Sequence, residues 1–329
     1  MAKSWYDKDV SLNSIKNEVI AVIGYGIQGS AQACNMKDSG LKVIVGLKKG
    51  GASWNRAVQD GHKVYTVPEA AEKADIIHIL VPDMIQSQLY KNEIKSHLTK
   101  GKALCFSHGA AIKWKLITPP KNVDVILIAP KAPGKRVREV YQEGFGVPSL
   151  VAVEKNFTGR AWDRVLGLAK AIGSTRAGVI KTTFKEEVET DIFGEQAILC
   201  GGVASLIKAA FETGLKAKYQ PEILYFECLH ELKLIVDLIQ KYGITGMYRG
   251  VSETARYGGL TRGDRVIATP TRKEMQKILA DIRTGRFANE WVTTWQKRGP
   301  DAFNKPLKKL EKHSIEVVGK KLRKMMTLN

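Results

Sequence analysis

The sequence predicts an α/β protein in which a doubly wound parallel sheet is followed by an all-helical domain. Short β-branched apolar runs alternate with helical stretches up to about residue 181, which is typical of parallel strands covered by helices. A glycine-rich motif separates the first strong strand from the next helix. From residue 182 the hydrophobic period becomes helical and stays so almost to the end. The predicted domains are therefore residues 1–181 and 182–329.

The first strong strand, Val19–Ile23, leads into a complete G-x-G-x-x-G motif and then into a helix from about Ser30. In that position each glycine has a purpose: Gly24 for the tight turn, Gly26 for close approach of a diphosphate, and Gly29 for helix–strand packing. The diphosphate would bind at the helix N-terminus, where free backbone N–H groups point at it. The motif predicts a Rossmann-type dinucleotide-binding domain.

The loop after the second strand, Lys42–Val45, indicates which dinucleotide binds. In NAD-binding domains this strand usually ends in an acidic residue that binds the adenosine ribose. Here the chain carries Lys48, Lys49 and Ser53 instead. Two ammonium groups and a hydroxyl suit a 2′-phosphate, so NADP(H) is the predicted cofactor. In so basic a protein both lysines could also be plain surface residues, and NAD(H) stays open as an alternative.

Further strands are predicted at residues 76–81, 103–106, 125–129, 149–153 and 175–179. His108 follows the strand at 103–106, at the edge where open α/β sheets bind their ligands. The strand at 125–129 leads into a proline-rich turn that holds Lys131 beside the same edge, either as a site residue or as a structural one. The loop from Asp83 is expected to pass the nicotinamide half of the cofactor.

Carboxylates recur at helical spacing in the second half of the chain. They form two groups: Glu187, Asp191 and Glu195, and then Glu227 and Glu231. Thr183 and Glu186 have the spacing of a capping box, so the first group is expected on a helix that starts there. Successive i, i+4 positions lie on one helical face. A single such row is best explained as a solvated acidic edge, but two facing rows would make an all-oxygen site that suits Mg²⁺.

The segment Tyr225–Ile239, which carries the second acid pair, is apolar on nearly every side. A helix that is hydrophobic all round must be covered all round, which is demanding for one helical domain of this size. A second copy of the chain would cover it, and twofold dimers are the commonest assembly. We therefore expect a homodimer.

The formal net charge of +19 raises nucleic acid as a partner. The 52 basic residues are spread along the whole chain, however, and the densest run, Lys308–Lys324, lacks interleaved aromatics. A solvated basic surface that attracts an anionic small substrate is expected, with neither nucleic acid nor membrane as partner.

The four cysteines show no C-x-x-C spacing and are expected to be reduced core residues. Apolar runs such as Ile76–Val81 are too short to span a bilayer, so a cytoplasmic protein is predicted.

Together these motifs resemble the short form (class I) of ketol-acid reductoisomerase, the branched-chain amino-acid enzyme. The resemblance covers essentially the whole chain. It rests on residues 24–29, 129–131, 178–187, 189–196 and 225–239.

The resemblance implies a knotted-type helical domain and a dimer or higher oligomer with shared active sites. It implies Mg²⁺-dependent alkyl migration of 2-acetolactate or 2-aceto-2-hydroxybutyrate, followed by reduction with NADPH to the 2,3-dihydroxy acid. Two Mg²⁺ ions would bind Asp191, Glu195, Glu227 and Glu231. His108 and Lys131 would be catalytic, and Ser252 would bind the substrate. The implied cofactor contacts, with the motif glycines Gly24, Gly26 and Gly29, are Tyr25, Ile27, Gln28, Lys48, Gly51, Ser53, Asp83, Met84, Ile85, Gln86 and Gly134.

Two other functions explain part of the sequence. A plain hydroxyacid dehydrogenase would account for the Rossmann half but not for the second acid pair. A nucleic-acid-binding protein that is not an enzyme would account for the charge but for neither motif.

Overall fold

The computed structural model describes residues 2–326. The chain divides into two compact units, Met1–Thr190 and Asp191–Asn329. The first unit is built on one nine-stranded sheet with the order β1-β9-β8-β7-β6-β5-β2-β3-β4. The strands are β1 Ser4–Trp5, β2 Val19–Ile23, β3 Lys42–Gly46, β4 Lys63–Tyr65, β5 Ile76–Ile79, β6 Ala103–Phe106, β7 Asp124–Pro130, β8 Ser149–Lys155 and β9 Val179–Lys181.

The Rossmann-type α/β prediction is confirmed, with a correction to the direction of some strands. Strands β2 to β7 pair in parallel, whereas β7 with β8 and β1 with β9 pair antiparallel. The prediction of a strand at residues 175–179 is wrong. Residues 174–177 form a short helix, and β9 starts only after Gly178, whose φ of +118° is a conformation that favours glycine. Strands β1 and β4 were not predicted.

Helices cover both faces of this sheet. They are α1 Ile27–Asp38, α2 Ala52–Gln59, α3 Val67–Lys73, α4 Asp83–Leu89, α5 Ala110–Lys113, α6 Gly134–Gln142, α7 Ala161–Ala171, α8 Ser174–Ala177 and α9 Phe184–Gly194. Successive strand residues point to opposite faces, and the core is divided accordingly. Ile20 and Val22 belong to one buried cluster, while Ala21 and Ile23 belong to another.

The second unit is helical, as predicted. Two π-helical turns, Glu195–Leu199 and Phe226–His230, interrupt its first helices. The helices are α10 Gly201–Lys216, α11 Pro221–Tyr225, α12 Leu232–Gly250, α13 Glu253–Val266, α14 Thr269–Thr284, α15 Arg286–Arg298, α16 Asp301–Leu310 and α17 Ser314–Met325. Helix α12 is kinked at Gly243, where φ is +73°.

Apolar side chains in this second unit are poorly covered. Its core cluster consists of Phe211, Leu224, Tyr225, Ile315 and Leu322, with partly buried neighbours. No residue of α12 is buried within the part of the chain described, and Leu234 on that helix is 57% exposed. The chain by itself therefore leaves this segment uncovered, and its cover by a second copy stays a prediction.

The helical stretch Phe184–Lys216 is long and apolar enough to cross a membrane by length and composition alone. The prediction made from short apolar runs such as Ile76–Val81 does not include this stretch. Only 6% of its most apolar window is buried within the chain. A helix that packs against another protein surface has the same composition, so this stretch is weak evidence for a membrane.

The cysteines correct one expectation. All four are free, as predicted, and Cys105 is buried in β6, but Cys200 is exposed. Cys200 follows a π-helical turn at the start of α10, where the chain leaves its side chain uncovered.

Candidate active site

The glycine-rich turn between β2 and α1 has the geometry of a diphosphate cradle. Gly24 has a φ of +101°, and a Cβ at Gly29 would lie 2.2 Å from the carbonyl oxygen of Gly24. Both positions therefore require glycine. A Cβ at Gly26 would meet nothing within 4 Å, so open space lies beside the start of α1. The first N–H groups of a helix have no partner within it, and these residues fit the diphosphate of a dinucleotide.

The neighbouring loop from β7 to α6 approaches this turn closely. A Cβ at Gly134 would lie 2.2 Å from the carbonyl oxygen of Ile27, so no other residue fits there without moving backbone. A hydrogen bond also joins the loop to the turn, since Gln28 Nε2 donates to the carbonyl oxygen of Ala132 at 2.9 Å. These contacts bring predicted cofactor residues Ile27, Gln28 and Gly134 together.

The loop predicted to bind the 2′-phosphate follows β3. Lys48 is exposed, Gly51 precedes α2 as its N-cap residue, and Ser53 lies in the first turn of α2. Sequence reasoning missed a third cation here. Arg56 of α2 donates a hydrogen bond to the carbonyl oxygen of Tyr25, and its guanidinium lies over the Tyr25 ring, 5.4 Å from the centroid.

Residues Asp83 to Gln86, expected in a loop beside the nicotinamide, form the first turn of α4, with Met84 and Ile85 between them. Gln86 is buried and its Nε2 donates to Asp83 Oδ1 at 2.9 Å. The other carboxylate oxygen of Asp83 lies 3.6 Å from His108 Nδ1. The structure thus brings a predicted cofactor residue beside the predicted catalytic histidine.

A buried carboxylate lies beside the histidine and the lysine. Glu187 of α9 is only 1% exposed and accepts a hydrogen bond from the backbone N–H of Gly109 at 3.0 Å. Its other oxygen lies 3.5 Å from Lys131 Nζ. Ligand atoms of His108 and Glu187 lie within 4.8 Å of each other. A buried carboxylate is costly without such partners, and here they come from the ends of β6 and β7.

Glu187 is a candidate site residue that the sequence analysis did not select, although it stood first in the row of three acids. The signal available was its place one helical turn before Asp191. Helix α9 is capped as expected: Thr183 Oγ1 accepts from the backbone N–H of Glu186 at 3.0 Å. The Glu186 carboxylate in turn accepts from the hydroxyl of Thr182 at 2.8 Å.

The helix predicted to carry all three acids is not α-helical throughout. Asp191 follows Glu187 by one turn within α9, but Glu195 begins a π-helical turn. The backbone N–H of Cys200 accordingly bonds to the carbonyl oxygen of Glu195, five residues back, at 2.9 Å. Such turns are rare and occur frequently at functional sites.

The second acid pair has the same feature. Glu227 lies within a π-helical turn, and Glu231 ends it by donating its N–H to the carbonyl oxygen of Phe226 at 3.1 Å. Both glutamates are exposed. Ser252 is also exposed, and it caps α13 by accepting a hydrogen bond from Ala255 N at 3.2 Å. The helix expected over Tyr225–Ile239 is therefore present, but it contains a π-helical turn at Phe226–His230.

Comparison with known proteins identifies the family. Residues 14–178 match the family described as acetohydroxy acid isomeroreductase, NADPH-binding domain, and residues 184–328 match ketol-acid reductoisomerase, C-terminal domain. The chain belongs to the ketol-acid reductoisomerase family. It is accordingly an oxidoreductase of branched-chain amino-acid biosynthesis.

Its similarity to individual ketol-acid reductoisomerases extends over the whole length. A relative from Cenarchaeum symbiosum, named ketol-acid reductoisomerase (NADP(+)), is 65% identical over 99% of this chain and 98% of its own. A relative of the same name from Methanocaldococcus jannaschii is 59% identical over 100% and 99%. Among solved structures, an NADH-preferring ketol-acid reductoisomerase from an uncultured archean is 45% identical, covers 98% of each chain and has a TM-score of 0.94.

Proposed function

We propose that this chain converts 2-acetolactate or 2-aceto-2-hydroxybutyrate into the 2,3-dihydroxy acid, by Mg²⁺-dependent alkyl migration followed by reduction with NADPH. The observation that carries the proposal is the buried Glu187 carboxylate. It is held by Gly109 N–H and Lys131 beside His108, at the edge of the sheet where the glycine-rich turn also lies.

The side chains of the first unit have distinct parts in this reaction. Lys131 offers a compact positive charge, oriented by Glu187 at 3.5 Å, to the carboxylate or alkoxide oxygen of an anionic substrate. His108 can give a proton to a substrate oxygen or take one from it, and the carboxylate of Asp83 lies 3.6 Å from its Nδ1. NADPH supplies the hydride when bound.

Asp191, Glu195, Glu227 and Glu231 are the proposed ligands of two Mg²⁺ ions. The support is the chemistry of the donor set, since carboxylate oxygens are the hard ligands that Mg²⁺ prefers. When bound, Mg²⁺ supplies Lewis-acid polarisation of the substrate oxygens. Two of the four, Glu195 and Glu227, lie in π-helical turns. A glutamate that only faces solvent needs no such turn, and π-helical turns are frequent at functional sites.

The preference for NADP(H) over NAD(H) is also a proposal. Lys48 and Ser53 follow β3 in place of an acid, and Arg56 adds a guanidinium on the same helix as Ser53. The curated relatives carry NADP(+) in their names. A solved relative that prefers NADH shows that the family contains both preferences, so the loop itself must be tested.

We propose that the active form is a homodimer or a higher oligomer in which one subunit supplies Glu227, Glu231 and Ser252 to the site of the other. The support is the lack of buried residues on α12 within the described chain. The division into a cofactor domain at 1–181 and a helical domain at 182–329 belongs to the same proposal. It is supported by the end of β9 at Lys181.

The experiment that tests the activity is NADPH oxidation with 2-acetolactate in the presence of Mg²⁺. Oxidation should require both, and should stop with a chelator and return with excess Mg²⁺. Oxidation that proceeds equally without Mg²⁺, or with simple 2-oxo acids alone, would favour a plain hydroxyacid dehydrogenase.

Shared sites are tested by mixing two inactive variants, Asp191→Asn and Glu227→Gln. Each mixed dimer would contain one site with both acids intact and one with neither, so up to half of the sites in mixed dimers recover. Asp191→Asn alone should still bind NADPH, which checks that the variant is folded. Subunits that demonstrably exchange without any recovery of activity would refute sharing.

A cytoplasmic location, without nucleic acid or membrane as partners, completes the proposal. The dispersed distribution of the 52 basic residues supports the part that concerns nucleic acid. Duplex DNA titrated across a salt series should show only weak binding that disappears as salt rises. Tight binding at physiological salt would contradict this part of the proposal.

A further inference from the structure

A polar side chain occupies an apolar position in the middle of the sheet. His78 lies in β5 between Ile77 and Ile79 and is 1% exposed. Burial lowers the pKa of His78 to about 3, so the imidazole is neutral at working pH. Its Nε2 lies 3.2 Å from the hydroxyl of Ser107, which directly follows the neighbouring strand β6.

From Ser107 a chain of hydrogen bonds leads to α1. Gln32 is fully buried on that helix, and its Nε2 donates to Ser107 Oγ at 3.1 Å. The same Nε2 donates to Gln28 Oε1 at 3.1 Å. Gln28 Nε2 then donates to the carbonyl oxygen of Ala132 at 2.9 Å. We call His78, Ser107, Gln32 and Gln28 the Gln32 network.

The Gln32 network ends on three backbone segments that carry the proposed site. Gln28 belongs to the glycine-rich turn, Ser107 directly precedes His108, and Ala132 directly follows Lys131. Gln28 and Ser107 are 79 residues apart in the sequence, so their segments share no local structure. Side-chain hydrogen bonds therefore connect them across the fold.

Gln32 is the member on which the others depend. A primary amide has two N–H donors, and Gln32 uses its amide nitrogen toward both Gln28 and Ser107. An apolar side chain of similar length would leave two acceptors without their donor at once. In a buried environment such bonds are strong and their loss is costly.

We propose that Gln32 is a positioning residue that, through Ser107 and Gln28, holds His108, Lys131 and the glycine-rich turn in their reactive arrangement. The inference rests on the proposed function for the identity of the reacting groups. Gln32 itself touches neither substrate nor cofactor in this role. Its effect is on alignment, and small misplacements of catalytic groups can lower rates by about a hundredfold.

The test compares Gln32→Met with Asn35→Leu. Asn35 is also fully buried on α1, but its amide nitrogen donates to the carbonyl oxygens of Val137 and Ile172, at 3.2 and 3.3 Å. Neither of those residues belongs to the proposed site. Both variants should lower Tm. Only Gln32→Met should lower kcat, by about tenfold to a hundredfold, and raise the Kd for NADPH in a fluorescence titration.

Ser107 provides a second, independent variant pair. Ser107→Ala removes the hydroxyl and should lower kcat, whereas Ser107→Thr keeps the hydroxyl and should restore most of it. Combining Gln32→Met with Ser107→Ala should cost less than the product of the two single losses, because both remove the same connection. If Gln32→Met does not fold, the comparison of Ser107→Ala with Ser107→Thr tests the inference by itself.

The outcomes separate the inference from the proposed function. A wild-type protein that binds NADPH but never oxidises it with 2-acetolactate and Mg²⁺ would refute the proposed function, while the Kd comparison still tests Gln32. Equal losses in Gln32→Met and Asn35→Leu would show a purely structural role and overturn the inference. Equal activity in Ser107→Ala and Ser107→Thr would do the same.

Discussion

Replacing Glu187 by glutamine tests the centre of the proposed site. The substitution keeps the shape of the side chain and an acceptor for Gly109 N–H, which lies 3.0 Å away. It removes the negative charge that faces Lys131 at 3.5 Å. Because Glu187 is 1% exposed, that charge is stabilised mainly by protein groups, and these two are among them.

The expected cost in stability is modest. A hydrogen bond to a charged group contributes about 1.5–3 kcal/mol, and the glutamine retains part of it as a neutral bond. Lys131 has a side chain that is 34% exposed, so its ion pair is screened by water and adds about 1 kcal/mol or less. Together we expect a loss of about 1–2 kcal/mol, or a Tm lower by about 2–8 °C.

The expected cost in activity is larger. If Glu187 orients Lys131 and supports proton transfer beside His108, kcat should fall about a hundredfold or more. The Mg²⁺ concentration for half-maximal activity should also rise, because a negative charge has been removed beside Asp191. Steady-state kinetics with 2-acetolactate across a Mg²⁺ series, together with thermal unfolding, measures both effects.

Glu189→Gln is the matched control. Glu189 lies on the same helix with a side chain 11% exposed, and pairs with Lys113 at 3.0 Å. Its variant should show a similar loss of Tm with kcat close to that of wild type, because no proton-transfer group is lost. Equal kcat losses in the two variants, or an unchanged Mg²⁺ dependence in Glu187→Gln, would refute the reasoning.

Three further outcomes are expected. Gly26→Ala, where a Cβ meets nothing within 4 Å, should fold normally and bind NADPH more weakly, whereas Gly134→Ala, with 2.2 Å to a backbone oxygen, should lose stability as well; equal Tm values would contradict this. Replacing Lys48 and Ser53 by aspartate should reverse the preference for NADPH over NADH in kcat/KM, and unchanged ratios would show that the loop does not contact the phosphate. Because burial lowers the pKa of His78 to about 3, the unfolded chain binds a proton below pH 6.5 that the native state does not; stability should therefore fall as pH falls, by about 2–3 kcal/mol from pH 6.5 to 4.5. In His78→Leu, the free energy of unfolding measured with urea should fall between pH 6.5 and 4.5 by less than in wild type, and the difference should equal that amount. Equal falls in the two proteins would count against this reasoning.

The features that sequence reasoning predicted correctly depend on neighbours along the chain. The glycine spacing determines a turn through residues within six positions of one another, and the structure has Gly24 at positive φ as that turn requires. The cap at Thr183 joins residues three apart. Strands and helices follow from the period of apolar residues, which is itself local. The conformations of such turns, caps and single elements are set mainly by interactions between residues close in sequence.

Long-range features were not readable in this way. The partners of Glu187 come from 78 and 56 residues away, and its burial depends on how α9 meets the ends of β6 and β7. The antiparallel pairing of β7 with β8 follows from how the chain crosses the sheet, since an apolar strand can pair in either direction. The contact of Arg56 with Tyr25 likewise joins two elements that are separate in sequence.

The sequence by itself determined the fold class, the place of the dinucleotide turn and the spacing of the acids, because each is set by interactions between near neighbours. Only the tertiary structure decided that Glu187 is buried against Lys131, that Gln32 connects three segments of the site, and that two of the acids lie in π-helical turns. The physical reason is that a side chain's burial and hydrogen-bond partners depend on which surfaces meet when distant elements pack. Residues with the same local pattern, such as Gln32 and Asn35 on one helix, acquire different roles only through that packing.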